Sequence, residues 1–251
     1  MGGQVLQFHF HFPSEHAIDG SLYAGELHIV HQKVGSKGTD DLLVVGVMLE
    51  VGAENSFLAQ LGFGSLPASK GDEVSISGSV DLGVFSAAFG GDFYHYMGSL
   101  TTPPCSQTAH WNVLATPAEM SQAQLDAFKA LYPDPANNRP LMPLNGRFMW
   151  ENNPYCVCDE PKYDFWEKDA KKWSYDEPAW TMDDCEGLSQ SPVDIVPASI
   201  AAGRTGSNKV SRFMHYRGLS GRSLKNTGYG VQVDGEFGSF IMDGQVFKVA
   251  A

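Results

Sequence analysis

Between Gln7 and His31 the chain reads QFHFHFPSEHAIDGSLYAGELHIVH, a stretch holding five histidines and two glutamates. In a β-strand successive side chains point to opposite faces. Gln7, His9 and His11 therefore share one face, and Phe8, Phe10 and Phe12 the other. In the second run Glu26, His28 and Val30 fall together, opposite Leu27, Ile29 and His31. If the two runs pair, His9, His11 and His28 converge on a polar face backed by an aromatic core.

Three neutral imidazoles on rigid strands suit a tetrahedral zinc whose fourth position stays open to water, the arrangement of a catalytic rather than a structural site. Gln7 lies two residues before His9, and Glu26 two before His28, so each is placed to accept the free N–H of a neighbouring imidazole and fix its tautomer. A lone His-x-His is usually a half-buried pair in an amphipathic strand. The same polar-x-His pattern on a second strand reverses that reading.

Two families share parts of this pattern. His9-x-His11-x3-Glu15 followed by Gly20 resembles the first metal motif of the cupin barrels, in which Glu15 would be a ligand, but nothing downstream supplies the second cupin motif in its usual form. FHFH, SEH, ELHIVH and, from Ser99 onward, SLTTPP occur in order. With these blocks the chain resembles the α-class carbonic anhydrases. That resemblance implies a mainly β fold (α+β by some schemes), with a large, mostly antiparallel central sheet and a few peripheral helices.

The composition is compatible with this. The 251 residues, 43% of them apolar and 12% aromatic, are enough for one domain with a sizeable core. A formal charge of −12, spread without long single-sign blocks, disfavours nucleic acid and anionic membrane surfaces as partners. No apolar run approaches the ~18 residues of a membrane span, and the first residues lack the pattern of a signal peptide.

Taken in order, the chain reads as short strands punctuated by glycine. Leu42 to Val51 is a mostly apolar strand fit for burial on both faces. Phe57 to Phe63 suits a short helix, Glu73 to Leu82 alternates weakly, and Phe93 to Tyr96 leads into SLTTPP. From Ser121 to Leu131 a Ser N-cap precedes Leu125, Phe128 and Leu131 on one face, which predicts a helix.

Pro143 to Arg147, PLNGR, resembles the end of the family's catalytic domain, yet the blocks that resemble its beginning come later: Trp173 to Tyr175, Trp180, Cys185, SQSPVDI from Ser189 to Ile195 and LKNTGYGVQV from Leu224 to Val233. Met242 to Val249 resembles the segment that directly precedes the LQFHFH strand. The expectation is a single carbonic anhydrase-like domain over 1–251 in circularly permuted order, with 1–147 as the family's C-terminal part, 148–172 as connector and 173–249 as its N-terminal part. An engineered permutant and a slice through tandem repeats both fit, and a broken terminal strand would allow a strand-exchanged homodimer.

Further roles are implied by the resemblance alone. Cys105 and Cys185 match a disulfide of secreted and periplasmic members, implying an extracellular, periplasmic or other oxidising compartment. Cys156 and Cys158 are too close for an easy mutual bridge. Thr101 is the expected hydroxyl that donates to Glu15 and orients the attacking oxygen, Thr102 a further bicarbonate contact, and His16 a buried structural histidine. Val30, Val44, Leu100, Ala109 and Trp111 match the apolar wall where carbon dioxide sits. Tyr175, Thr227 and Gln232 match positions that hold the water chain out of the site, although Thr227 is Asn in many relatives. The fastest members place a histidine shuttle where this chain has Tyr229. A phenol, with an ordinary pKa of ~10 against ~6.5 for imidazole, is poorly matched to relay protons near neutrality. His95, His110 and His215 are left as other candidates for that relay.

The activity implied is zinc-dependent reversible hydration of carbon dioxide to bicarbonate, with Zn(2+) as cofactor and sulfonamides as expected inhibitors. The different-class alternative is a catalytically silent relative serving as an extracellular binding module; such proteins typically lose a zinc histidine, and this chain keeps all three.

Overall fold

The computed structural model describes residues 7–85, 88–89, 91–132, 136–151, 153–157, 185, 187–197, 212–242 and 245–249. A 14-stranded sheet dominates it. Its main path runs β12 (Asn153–Val157), β11 (Phe148–Glu151), β8 (Phe93–Gly98), β9 (Ala109–Leu114), β5 (Leu42–Val51), β4 (Gly25–Lys33), β1 (Gln7–His11), β17 (Val231–Asp234), β16 (Ser223–Asn226) and β6 (Glu73–Ser75). Branching from it are β10 (Ala118–Met120) on β5, and β14 (Arg212–Tyr216), β18 (Gly238–Met242) and β19 (Gln245–Val249), which join through β4. Small sheets comprise β2 (Ala17–Ile18), β3 (Ser21–Leu22) and β13 (Asp194–Ile195), and β7 (Ser79–Val80) with β15 (Leu219–Ser220).

Most pairs are antiparallel, as the family resemblance implies, but β5 runs parallel to both β9 and β10. The mostly apolar β5, buried from Leu42 to Leu49, suits a central position between long-range partners.

The helices are few and short. In α1 (Ser56–Leu61) the Asn55 side chain accepts from the N–H groups of Phe57 and Leu58, and Gly62 closes the other end at φ 93°. In α2 (Gln122–Leu131) Ser121 and Gln124 form a capping box. Both helices cover one face of β1: the Phe8 ring lies 5.7 Å from Phe57 of α1, and Phe12 lies 4.2 Å from Phe128 of α2. Phe8, Phe10 and Phe12 are all buried, each contributing about 1.5–3 kcal/mol by removal from water. This packing holds the other face of β1 in position.

Along one side of β4 two strands follow one another. β1 covers Glu26 to Ile29, through pairs from His11↔Glu26 to Phe8↔Ile29, and β19 covers the next stretch through Lys248↔Gln32 and Phe247↔Lys33. They therefore occupy consecutive positions on a shared neighbour.

Candidate metal centre

Register sets the site. His9 pairs directly with His28, and His11 with Glu26, so alternation and pairing place the three histidines on one sheet face. Their rings are 4.9 Å (His9–His11), 5.1 Å (His9–His28) and 4.6 Å (His11–His28) apart, and one donor atom from each lies within 4.8 Å of the others. His11 and His28 are buried and His9 is half-buried.

Each imidazole is oriented by a different partner. His9 Nδ1 lies 2.7 Å from Gln7 Oε1, and His11 Nδ1 lies 2.7 Å from the main-chain oxygen of Asn137. Both partners only accept, so Nδ1 carries the proton and Nε2 the lone pair. His28 Nε2 sits 3.0 Å from Glu26 Oε1 without an aligned hydrogen bond. Burial, followed by the neighbouring imidazoles, holds the His9 pKa well below the usual value, and burial lowers that of His11. For His28 burial pulls down as well, but the charge and contact of Glu26, with Glu15 behind it, prevail and raise it.

Glu26 is the hub behind the triad. Its Oε2 accepts the main-chain N–H groups of Glu15 and His16, each at 2.9 Å, and its Oε1 lies 2.8 Å from His16 Nδ1. Burial would raise its pKa; His16 and then His28 hold it well below the carboxylate range. From His16 Nε2 the chain of contacts continues to the Tyr96 hydroxyl (2.6 Å) and on to Ser191 Oγ (2.8 Å). His16 is thus a fully buried bridge. The close approach needs Gly46, where an added Cβ would stand 2.6 Å from Glu26 Oε1.

A second trio, His16, Glu26 and His28, is also compact enough to hold an ion. Its Glu26 carboxylate is engaged with His16 and with two main-chain N–H groups, whereas His11 Nε2 is buried with no hydrogen-bond partner. That orphaned nitrogen, the lone pair on His9 and the all-imidazole donor set fit a zinc ion at His9, His11 and His28. Among the described residues no compact donor group includes Glu15, which leaves the cupin-like ligand set unassembled.

Glu15 departs from expectation in one respect. Its Oε1 accepts the Arg139 N–H at 2.8 Å and lies 3.3 Å from His11 Nδ1, while Oε2 is buried without a hydrogen-bond partner. The anticipated Thr101–Glu15 bond is therefore not formed here. Thr101 is buried in a loop closed by Leu100 N–H to Ser106 O (3.0 Å) and Cys105 N–H to Thr102 O (2.9 Å), with Thr102 half-buried beside it.

The apolar positions lie in a row. Val30 pairs with Val44, Val44 with Trp111, and Trp111 with Tyr96, all on the histidine face, and the Trp111 ring is 4.8 Å from His28. Ala109 is fully buried one step along β9, and Leu100 is half-buried in the loop. Gln232 pairs with His9 from β17 and donates to Asp234. The Thr227 hydroxyl donates to Gly230 O at 3.0 Å within its own turn. Tyr229 accepts at its carbonyl from Asn137 Nδ2, and Lys70 Nζ stands 5.4 Å over its ring. Tyr175 lies outside the described residues, as do Cys158 and the side chains of His215 and Cys156.

His95 and His110 lie on the opposite face of the sheet, since Trp111 and Tyr96 occupy the histidine face between them. Strand alternation thus removes both from the list of relays for this cleft. Cys105 and Cys185 form a disulfide across 80 residues of sequence.

Asn137 and Arg139 were not singled out from sequence. Asn137 accepts from His11 and, through its side chain, bonds the main chain of Phe10, Phe12 and Tyr229. Arg139 ties Glu15 to Gln190, Ser191 and Cys185. Both lie in a loop without periodicity, so no local signal marks them. Gly46 did carry one: a glycine inside an apolar strand signals close approach.

A family model described as eukaryotic-type carbonic anhydrase matches residues 4–153, more than half of the chain and all three site histidines. The chain belongs to this family. It is 43% identical over 149 residues to a carbonic anhydrase of Nostoc sp., covering 59% of this chain and 53% of the relative. To a carbonic anhydrase of Dunaliella salina it is 36% identical over 218 residues, covering 81% of this chain and 35% of the relative. The chain thus spans about half the length of the first of these carbonic anhydrases and about a third of the second. The solved α-carbonic anhydrase of Thermovibrio ammonificans, in complex with the inhibitor sulfanilamide, aligns with a TM-score of 0.50 and 38% identity over 56% of this chain and 59% of that one.

Proposed function

We propose that the chain holds one zinc ion on His9, His11 and His28 and catalyses the reversible hydration of carbon dioxide. The observation that carries this reading is the compact trio of imidazoles, with buried His11 Nε2 unpartnered. A bound zinc supplies the Lewis acidity that makes a water nucleophilic near neutral pH. The rest falls to the protein. Gln7, the Asn137 carbonyl and Glu26 orient the three rings. Val30, Val44, Leu100, Ala109 and Trp111 offer an apolar wall for a linear, uncharged substrate and exclude competing water.

Attack by hydroxide oxygen on the carbon forms one C–O bond while a C=O π pair moves onto oxygen, giving bicarbonate. Thr101, with Glu15 as acceptor, orients the attacking oxygen, and Thr102 contacts the product. The unpartnered Glu15 Oε2 supports that pairing, because it has an acceptor site to give. The proton released leaves by the Tyr175, Thr227 and Gln232 path past Tyr229 to buffer. In this reading 1–147 and 173–249 make one domain joined by the connector 148–172, a view supported by β1 and β19 lying end to end on β4. Exchange of that terminal segment between copies would give a strand-exchanged homodimer. The disulfide supports an extracellular, periplasmic or other oxidising compartment.

The test is stopped-flow hydration of carbon dioxide by zinc-loaded protein, with and without sulfanilamide. Inhibitable turnover that disappears on chelation and returns with zinc is expected. Fully zinc-loaded protein that hydrates no faster than buffer would overturn the proposal.

A further inference from the structure

β1 and β17 run side by side from Gln7↔Asp234 to His9↔Gln232. Beyond His9 a side chain takes the strand's place. The amide of Asn137, only 2% exposed, accepts the Phe12 N–H on Oδ1 at 2.8 Å and donates from Nδ2 to the Phe10 carbonyl at 2.9 Å, as a peptide group of a neighbouring strand would. The main-chain oxygen of the same residue is the acceptor for His11 Nδ1. Asn137 therefore holds the His11 ring and the backbone on both sides of it.

The second N–H of that amide donates to the Tyr229 carbonyl, also at 2.9 Å, so both donors and the acceptor are used. Tyr229 sits in a turn that is bonded within itself: Gly228 N–H donates to Asn226 Oδ1 at 2.8 Å, Thr227 N–H to the Gly230 carbonyl at 2.9 Å and Tyr229 N–H to Thr227 Oγ1 at 3.3 Å. Such a turn moves as one piece, and fixing one of its carbonyls fixes Thr227 and Tyr229 together. The approach is close. A Cβ added at Gly230 would stand 2.9 Å from Asn137 Nδ2 and 3.2 Å from the Phe10 carbonyl oxygen.

We propose that the Asn137 side chain is a positioning residue for proton exit: by tying the Tyr229 turn to the strand of His9 and His11, it sets how far Thr227 and Tyr229 stand from the metal ligands. The inference rests on the hydration reading above. A proton leaving through ordered groups needs each donor and acceptor within about 2.6–3.2 Å, so this step is sensitive to where the turn sits. Attack on carbon dioxide depends instead on the three rings. Because the oxygen that orients His11 belongs to the main chain, replacing the side chain keeps that acceptor, and the two steps become separable.

Two variants test this, each checked for native near-ultraviolet circular dichroism. Asn137→Ala removes the three side-chain bonds, and Gly230→Ala keeps Asn137 but crowds Nδ2, so the second serves if the first does not fold. The measurements are zinc affinity, stopped-flow hydration at low and high imidazole-type buffer, and, in metal-free protein, the fluorine spectrum of 3-fluorotyrosine in place of Tyr229. Zinc affinity and kcat/Km should stay within about twofold of the parent, while kcat falls several-fold at low buffer and recovers at high buffer, where small bases take the proton directly. The single fluorine line of the parent should broaden or split. A kcat at low buffer equal to the parent's, a fluorine line as narrow as the parent's, or a fall in kcat/Km as large as that in kcat would overturn the proposal. Failure of the hydration reading shows separately, as a zinc-loaded parent without turnover at any buffer concentration, and overturns this role with it.

Discussion

The two faces of the central strands treat polar residues differently. On the triad face, His28, Glu26, His16, Tyr96 and Ser191 are linked, so each side chain constrains the next. On the opposite face, His31 and His95 are held by separate contacts of their own. His31 lies with Nδ1 3.1 Å from the Leu43 carbonyl and Nε2 2.9 Å from the Tyr216 hydroxyl, and His95 is tied to the Trp111 carbonyl. Linkage lets one face support buried charge. On the far face burial keeps His31 and His95 neutral.

The sharpest way to break this contrast is to remove a ring from each face. His11→Ala should abolish tight zinc binding and reduce hydration to the buffer rate, because no neighbour can replace a lone pair in the trio. His31→Gln should leave both unchanged. Zinc affinity by competition with a chromogenic chelator and turnover by stopped flow are the measurements; equal losses in both variants would erase the distinction.

Next in size is the hub. Glu26→Gln keeps the shape but removes the charge that raises the His28 pKa and offers an amide where four contacts need an acceptor. Zinc affinity should fall about 10–100-fold, the usual effect of losing a partner that orients a ligand. An affinity within twofold of the parent would show that His28 needs no such support.

Acid tests the other face. The His31 pKa is lowered by burial to about 4, against 6.5 for the ordinary side chain. Below pH 6.5 the unfolded chain gains a proton that the folded chain refuses until about pH 4. The stability His31 contributes is therefore intact above pH 6.5, is lost as the pH falls from 6.5 to 4, and loses nothing further below that. The difference amounts to about 3 kcal/mol. Urea midpoints at pH 7 and pH 4.5 should fall less in His31→Gln than in the parent, and equal falls would reject the assignment.

The smallest effect concerns the exit from the triad face. Tyr229→His should raise kcat several-fold at low buffer and blunt its dependence on imidazole-type buffers, with Km little changed. A high, buffer-independent kcat in the parent would mean that protons leave by another route.

Period-two alternation made β1 and β4 legible, and with them the shared face of His9, His11 and His28, because side-chain direction in a strand is local. The Ser121 cap and the spacing of Leu125 and Phe128 likewise located α2. What stayed hidden depends on distant segments. Asn137 reaches His11 from 126 residues away, and its own neighbourhood contains no pattern. The parallel pairing of β5 with β9 has no local signature either. His16 reads as a structural histidine, yet its place between Glu26 and Tyr96 emerges only when β8 and the loop after β1 meet. Alternation alone sets His31 opposite His28, whereas the place of His95 on the far face comes only from the register of β8 with β9.

The central claim is that His9, His11 and His28 together hold the ion. X-ray absorption at the zinc edge, on protein loaded with one equivalent of zinc, tests it most directly. The predicted first shell contains three imidazole nitrogens and one oxygen ligand at about 2.0–2.1 Å, without sulfur, and loses one imidazole in His28→Ala. A shell with a sulfur, with a protein carboxylate replacing an imidazole, or with three imidazoles still present in His28→Ala would contradict it.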